Sequence, residues 1–367
     1  MSKRIISLVC MALALCLVLL PACAQNQDAG QEEDASQEDT TFTEGADTAC
    51  EVTGYTDFTS AYPDYFLQKG DKVAVISPSA LPSQEQVDAT VAGLKDWGYE
   101  PVEGKYVYAE ERTLDECKED LTWALEDPDI KAIYCVRGGY GASEVMDALS
   151  VDDIRAAKKP IIGYSDITVY HSAWTVAGLP SIHSSMSATF VDLSEECAEA
   201  QQKLMQGEVP TYSCAASKYC KPGTAEGVLI GGNLSTFTSV LGTAYDCTQT
   251  KEPYILFVED VEEDMQHIHR YLTVLKHLGV LDGAAGIVFG MWMDIPTDSG
   301  DYDGNARGGK FTSVADMIDR EFLQDLDVPV AFGFPAGHGV ANHPMLMGET
   351  LRLDVSKDAF TLEWVAA

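Results

Sequence analysis

The sequence predicts an α/β protein of two domains, an N-terminal one built on a parallel sheet and a C-terminal one of mixed α/β structure. Three observations predict it. From Lys72 onward, short apolar runs alternate with amphipathic segments, the pattern of strands and covering helices. The alternation lapses over residues 206–224, where Gly207, Pro210, Pro222 and Gly223 fall, and then restarts. A length of 367 residues suits two domains of ordinary size. The expected division is a first domain over 53–205, a linker over 206–224 and a second domain over 225–367.

Ahead of the domains, Met1-Ser-Lys3-Arg4 precedes an apolar run from Ile5 to Leu20. A charged start and a short apolar core read as a secretory signal, residues 1–22, rather than a membrane span. The run closes on Leu20-Pro21-Ala22-Cys23. A small residue before cysteine at that place matches a bacterial lipoprotein processing site, with Cys23 the lipid-modified first residue and the protein held on the outer face of a membrane. The alternative is an ordinary cleavage site with an incidental cysteine. Residues 24–50 then carry eight acids and no Lys or Arg. Such a stretch predicts a disordered, self-repelling tether, assigned to 23–52.

In the first domain, Val73–Ser77 reads as a buried strand and Glu85–Trp97 as a helix with Val87, Val91, Leu94 and Trp97 on one face. Thr113–Leu125 is a second helix. Ala132–Val136 is a strand that runs into Gly138-Gly-Tyr-Gly141, and Ala142–Leu149 a short helix. Ile161-Ile162 is a strand and Asp166–Val176 a helix. Strands joined through helices argue for a parallel sheet covered on both faces. In the second domain, Gly227–Ile230 is a strand followed by Gly231-Gly-Asn233 and a helix through Leu241. Tyr254–Val258 is a strand ending on Glu259-Asp260. Asp264–Leu278 is a helix with Ile268, Tyr271, Leu272, Leu275 and Leu278 on one face. Ala285–Phe289 and Val328–Phe332 are strands, with a helix over Ser313–Phe322 between them.

The net charge of −34 argues against nucleic acid and against anionic lipid surfaces as partners. Of ten cysteines, seven lie beyond Cys23: Cys50, Cys117, Cys135, Cys197, Cys214, Cys220 and Cys247. An odd number leaves at least one unpaired. Cys135, inside an apolar run, reads as a buried free thiol. Cys214 and Cys220 are near enough in sequence to pair, although spacing alone does not decide it. The chain has no C-x-x-C pair, which disfavours a zinc ribbon.

Three polar residues each stand just past an apolar run: Ser165, Glu259 and His338. The carboxyl ends of strands are where open α/β sheets gather functional groups. Together the three make a nucleophile, a carboxylate and a base. Gly163-Tyr-Ser165-Asp166 would be a strand-to-helix turn that lifts the serine above the sheet; the alternative is a plain helix cap. The imidazole of His338 has the pKa range to take the serine proton, and Glu259 could hold its tautomer. Alternatively, Glu259 is a solvated acid or a Ca²⁺ ligand, and the glycines around His338 mark only a tight turn. The glycines after Val136 suit either a phosphate cradle or an oxyanion hole, the latter from the N–H groups of Gly139 and Asp166. Arg137 would bind a carboxylate or form a structural salt bridge.

These residues carry a resemblance. Val75-Ile-Ser-Pro-Ser-Ala80, Val136–Gly141, Ile162–Asp166, Gly178-Leu-Pro-Ser-Ile-His183, Leu229–Leu234, Leu256–Asp260 and Gly337-His-Gly339 occur in the order found in the LD-carboxypeptidase family of serine peptidases. That family also holds the microcin-immunity peptidases. The chain resembles it over the whole folded part. The resemblance implies a flavodoxin-like N-terminal domain bearing the serine, a C-terminal domain bearing the other two residues, and an active site at their interface. It implies catalytic Ser165, Glu259 and His338, with Gly139 and Asp166 as oxyanion donors, and no cofactor or metal. The implied reaction is hydrolysis of an L,D-amide that releases a terminal D-alanine from a peptidoglycan tetrapeptide stem, so the implied partner is a wall peptide or muropeptide. A homodimer is also carried as an expectation. Many members work in the cytoplasm, whereas this N-terminus predicts export. The rival expectation is a non-catalytic solute- or wall-peptide-binding lipoprotein.

Overall fold

The computed structural model describes residues 41–186, 193–296 and 311–366. Cys23 and the signal segment lie outside the described residues.

The described chain opens with strands β1 (Thr41–Glu44) and β2 (Cys50–Asp57). Both fall where an acidic tether was expected over 23–52, so that expectation is corrected for residues 41–52. The acid-rich segment is ordered there by partners distant in sequence. The Ala315 N–H donates to Glu44 at 2.8 Å, and Cys50 is bonded to Cys214. Cys50 and Cys214 stand opposite each other on antiparallel strands, which is why Cys214 pairs with Cys50 and not with Cys220, left as a free thiol. Closing a loop of 164 residues restricts the unfolded chain and stabilises by about 2–5 kcal/mol. Cys135 is a buried free thiol, as the sequence predicts.

The first sheet grows from β3 (Lys72–Ile76), helix α1 (Gln84–Asp96), β4 (Glu100–Glu103), α2 (Leu114–Glu126) and β5 (Ile130–Cys135). It continues through the short α3 (Ala142–Val145), α4 (Val151–Ala157), β6 (Ile161–Gly163), α5 (Thr168–Ala177) and β7 (Ser181–His183). Local sequence starts these helices where they begin. Ser83 with Gln86, Thr113 with Glu116 and Ser150 with Asp153 each form a reciprocal capping box, satisfying amides that have no intrahelical partner. The strands β4, β3, β5, β6 and β7 lie side by side in that order and all run parallel. This is the flavodoxin-like order, with the second strand outside the first.

The chain then forms α6 (Glu195–Met205), β8 (Glu208–Ala215), β9 (Gly223–Asn233), α7 (Leu234–Val240), β10 (Tyr254–Val261) and α8 (Met265–His277). After α9 (Val280–Gly283) come β11 (Gly286–Pro296), α10 (Val314–Ile318), β12 (Val330–Phe332), β13 (Met345–Met347), β14 (Thr350–Val355) and β15 (Ala359–Trp364). Among the described residues the second sheet has nine strands, ordered β1-β11-β10-β9-β14-β15-β8-β2 with β12 beside β11. Its β9, β10, β11 and β12 are mutually parallel and the remainder antiparallel, so the sheet is mixed.

Residues 206–224, expected to be an irregular linker, instead contribute β8 and the start of β9. Pro210, Tyr212 and Cys214, two residues apart, are all buried, so the proline itself belongs to the inward face of a strand with period-two burial. The halves also trade strands. β2 precedes the first sheet in sequence yet edges the second, and β13 returns from the second half to edge the first, antiparallel to β7.

Candidate active site

A cavity of about 600 Å³ opens outside the carboxyl ends of β5, β6, β9 and β10. One wall is Val136, Arg137, Gly138, Gly139, Tyr164 and Ser165; the other is Asn233, Ser235, Thr236, Asp260, Val261, Glu262 and His338.

Ser165 follows β6 at the head of a short 3₁₀ turn, Ser165–Ile167, that leads into α5. Its φ is +63°, a left-handed conformation that costs a non-glycine residue about 1–3 kcal/mol and persists only where the surroundings impose it. The strain lifts the hydroxyl into the cavity. Gly138 makes room, since a Cβ there would lie 2.9 Å from the Ser165 Cβ and 3.0 Å from its Oγ. Ile167, two residues after the serine, is fully buried and packs beneath the turn at Gly163.

The three residues read from the sequence converge. His338 Nε2 stands 3.0 Å from Ser165 Oγ, and His338 Nδ1 stands 2.8 Å from Glu259 Oε2. The network assigns the tautomer: Nδ1–H donates to the carboxylate, so Nε2 accepts from the serine hydroxyl. Glu259 is wholly buried at the end of β10, which sets aside the solvated-acid alternative. Any Cβ on Gly337 would collide with its Oε2, so the turn before His338 serves the carboxylate. Burial of the His338 ring opposes its protonation. The charge and hydrogen bond of Glu259, helped by Asp260 and Glu262, more than offset burial and hold the imidazole above its ordinary pKa. The Tyr164 ring packs 4.9 Å from the imidazole.

Gly139, at φ +106°, lines the cavity beside Gly138. The Asp166 amide is in the first turn after Ser165, where N–H groups have no intrahelical acceptor. Its nitrogen would be 3.3 Å from a Cβ on Gly138, so it borders the loop that carries Gly139. The Asp166 carboxylate does something else: it accepts from Ser79 Oγ at 2.5 Å and from the Ala142 N–H at 2.9 Å, pinning the neighbouring loops. Arg137 is exposed on the cavity wall, donates to the Leu81 carbonyl at 2.9 Å and, among the described residues, forms no salt bridge.

Two family models match this chain, the LD-carboxypeptidase N-terminal domain over residues 73–184 and the LD-carboxypeptidase C-terminal domain over residues 226–353. The chain belongs to the LD-carboxypeptidase family. A murein tetrapeptide carboxypeptidase of Pseudomonas aeruginosa is 30% identical over 305 residues, covering 77% of this chain and 93% of that one. The crystal structure of a muramoyltetrapeptide carboxypeptidase from Oxalobacter formigenes superposes with a TM-score of 0.69 at 26% identity, covering 80% of this chain and 98% of the other. The microcin C7 self immunity protein, solved with aspartyl sulfamoyl adenosine, gives 0.66 at 20% identity over 82% of this chain and 98% of its own, which speaks to the fold alone. As an LD-carboxypeptidase family member the protein is a serine carboxypeptidase hydrolase related to peptidoglycan peptides.

The sequence reading missed part of the site. Asp260 is buried and pushed up to about 7, by burial first and then by the charge of Glu259. Its carboxylate accepts from Asn233 Nδ2 at 2.8 Å, the Ser235 N–H at 2.9 Å and the Val261 N–H at 2.9 Å. The signal was present: Asn233 closes a Gly-Gly-Asn run that starts a helix, and Asp260 is the residue after Glu259.

Proposed function

We propose that this protein hydrolyses the amide between an L-centre and the terminal D-alanine of a peptidoglycan tetrapeptide stem, through a triad of Ser165, His338 and Glu259. The observation that carries the reading is the unbroken hydrogen-bonded series from Glu259 through His338 to a strained serine at the floor of a cavity. His338 Nε2 takes the hydroxyl proton as Ser165 Oγ bonds to the scissile carbonyl carbon. The carbonyl oxygen becomes an oxyanion facing the Gly139 and Asp166 amides. Collapse breaks the C–N bond, and His338 gives its proton to the leaving nitrogen, releasing D-alanine. Water then repeats the sequence on the acyl-enzyme, its proton passing through His338 back to Ser165. Arg137, on the cavity wall, suits the carboxylate of the departing residue.

Incubation of the purified protein with disaccharide tetrapeptide is expected to yield disaccharide tripeptide and free D-alanine in equal amounts. Binding of the muropeptide with no D-alanine release would replace this reading with that of a binding lipoprotein.

The proposal extends to location. The charged start, the apolar run and the Leu20–Cys23 junction support export and lipid attachment at Cys23, and a bridge between Cys50 and Cys214 suits an oxidising compartment. Cells fed an alkyne-tagged fatty acid should label the wild-type protein in the membrane fraction. The Cys23→Ala variant should lose the label and the membrane association together; a labelled variant would remove Cys23 from the account.

A further inference from the structure

A triad split between two sheets needs something to hold the sheets in register, because a misplacement of about 1 Å at the reacting atoms costs on the order of 10²-fold in rate. Ser165 belongs to the first sheet's β6–α5 turn, and Glu259 to the end of β10 in the second. One series of hydrogen bonds joins them without passing through His338. The Thr168 N–H, at the start of α5, donates to the Ser165 carbonyl. The Thr168 Oγ1 in turn accepts the Asn233 N–H at 3.0 Å. Asn233 is the residue directly opposite Glu259 in the β9–β10 ladder. Its Nδ2 then reaches the Asp260 carboxylate, whose other oxygen holds the Ser235 N–H. Thr168, Asn233 and Asp260 are all buried. The crossing is also tight: a side chain on Gly232 would strike the Thr168 hydroxyl, so the two sheets can approach only with glycine there.

From this juxtaposition we infer that Thr168, with Asn233 and Asp260, is a positioning device that sets the distance between the nucleophile and the Glu259–His338 pair. This rests on the triad reading above. Thr168 touches neither substrate nor the reacting atoms; it acts through the Ser165 backbone on one side and the Asn233 backbone on the other. Valine has the shape of threonine and cannot accept the Asn233 N–H, whereas serine can.

The test uses two readouts on the full-length protein, steady-state release of D-alanine and the rate at which a fluorophosphonate labels Ser165. In labelling, the Oγ–P bond forms as the P–F bond breaks, fluoride leaves and the hydroxyl proton passes to His338. The rate therefore reports the Ser165–His338 geometry with no peptide bound. Thr168→Val is expected to lower kcat and the labelling rate together, by about ten- to a hundredfold, with KM within about twofold of wild type. Thr168→Ser is expected to restore both to within about threefold. Should the valine variant fail to fold, Asp260→Asn is measured the same way and is expected to slow labelling. Unchanged labelling in a folded Thr168→Val protein would overturn the inference, as would a serine variant no faster than the valine one. Wild-type protein that labels at Ser165 but releases no D-alanine would sink the substrate assignment and leave labelling as the test of the device. Wild-type protein that does not label at all would overturn both.

Discussion

Ser165→Ala will lower kcat/KM for tetrapeptide hydrolysis by about 10³-fold or more while the protein stays folded, by analogy with removal of the nucleophile from other serine hydrolase triads. The local geometry explains both halves of the expectation. The hydroxyl is the atom within reach of His338 Nε2, and without it no acyl-enzyme forms. The fold is indifferent because alanine keeps the Cβ and needs the same left-handed backbone, so the strain at φ +63° is neither relieved nor increased. The hydroxyl's removal also leaves Gly138 as free of contact as before. Far-ultraviolet circular dichroism and the thermal midpoint should match wild type. Turnover above about a tenth of wild type in a pure, folded preparation would remove Ser165 from the nucleophile's place and return Gly163-Tyr-Ser165-Asp166 to a simple helix start.

Part of this architecture was legible because local sequence and global fold agree. The Val73, Ile133 and Ile161 strands are continuous apolar runs, as expected for a parallel sheet buried on both faces, and the helices capped by Ser83 and Thr113 fall on the amphipathic segments read from the sequence, whereas the short helix capped by Ser150 escaped the reading. The triad residues were legible as polar side chains at strand ends. What escaped is what depends on partners far away in sequence. β8 was read as a linker because Pro210 and the nearby glycines are strong local breakers, yet Tyr212 and Cys214 are placed by β2 and β15. β1 and the start of β2 were read as tether because acid-rich composition opposes burial, yet pairing with β11 and β8, the Ala315 N–H bond to Glu44 and the bridge from Cys50 order them. The alternation of Leu351, Leu353 and Val355 inward along β14 was a readable period-two signal that went unused. Asp260 escaped for another reason. A carboxylate beside a catalytic carboxylate reads as surface acidity until three donors are seen to hold it.

Glu259→Gln is the second large effect. The side chain keeps its volume, so the buried site closes around it, but the amide cannot hold the imidazole as the carboxylate does. With its nitrogen toward Nδ1, glutamine donates and forces the proton onto Nε2, which then cannot accept from Ser165. With its oxygen toward Nδ1, the tautomer survives but the charge that stabilises the imidazolium is gone. Either way kcat should fall by about 10³- to 10⁴-fold, the scale of the corresponding carboxylate-to-amide change in a serine protease. The pH profile separates this cause from misfolding. His338 must be neutral to act as base, so wild-type kcat/KM should rise through the His338 pKa, which lies above the ordinary imidazole value although burial pulls it down, because Glu259, Asp260 and Glu262 outweigh burial. Removing the Glu259 charge removes the strongest of those upward influences. The acid limb of the residual activity should therefore move to lower pH, not higher. Asp260 should titrate lower as well, since the neighbouring charge of Glu259 is second only to burial in pushing it up to about 7. Rates measured from about pH 5 to 9 decide the matter: a limb that stays in place, or moves upward, would mean that Glu259 does not govern the imidazole and that some other group sets its protonation.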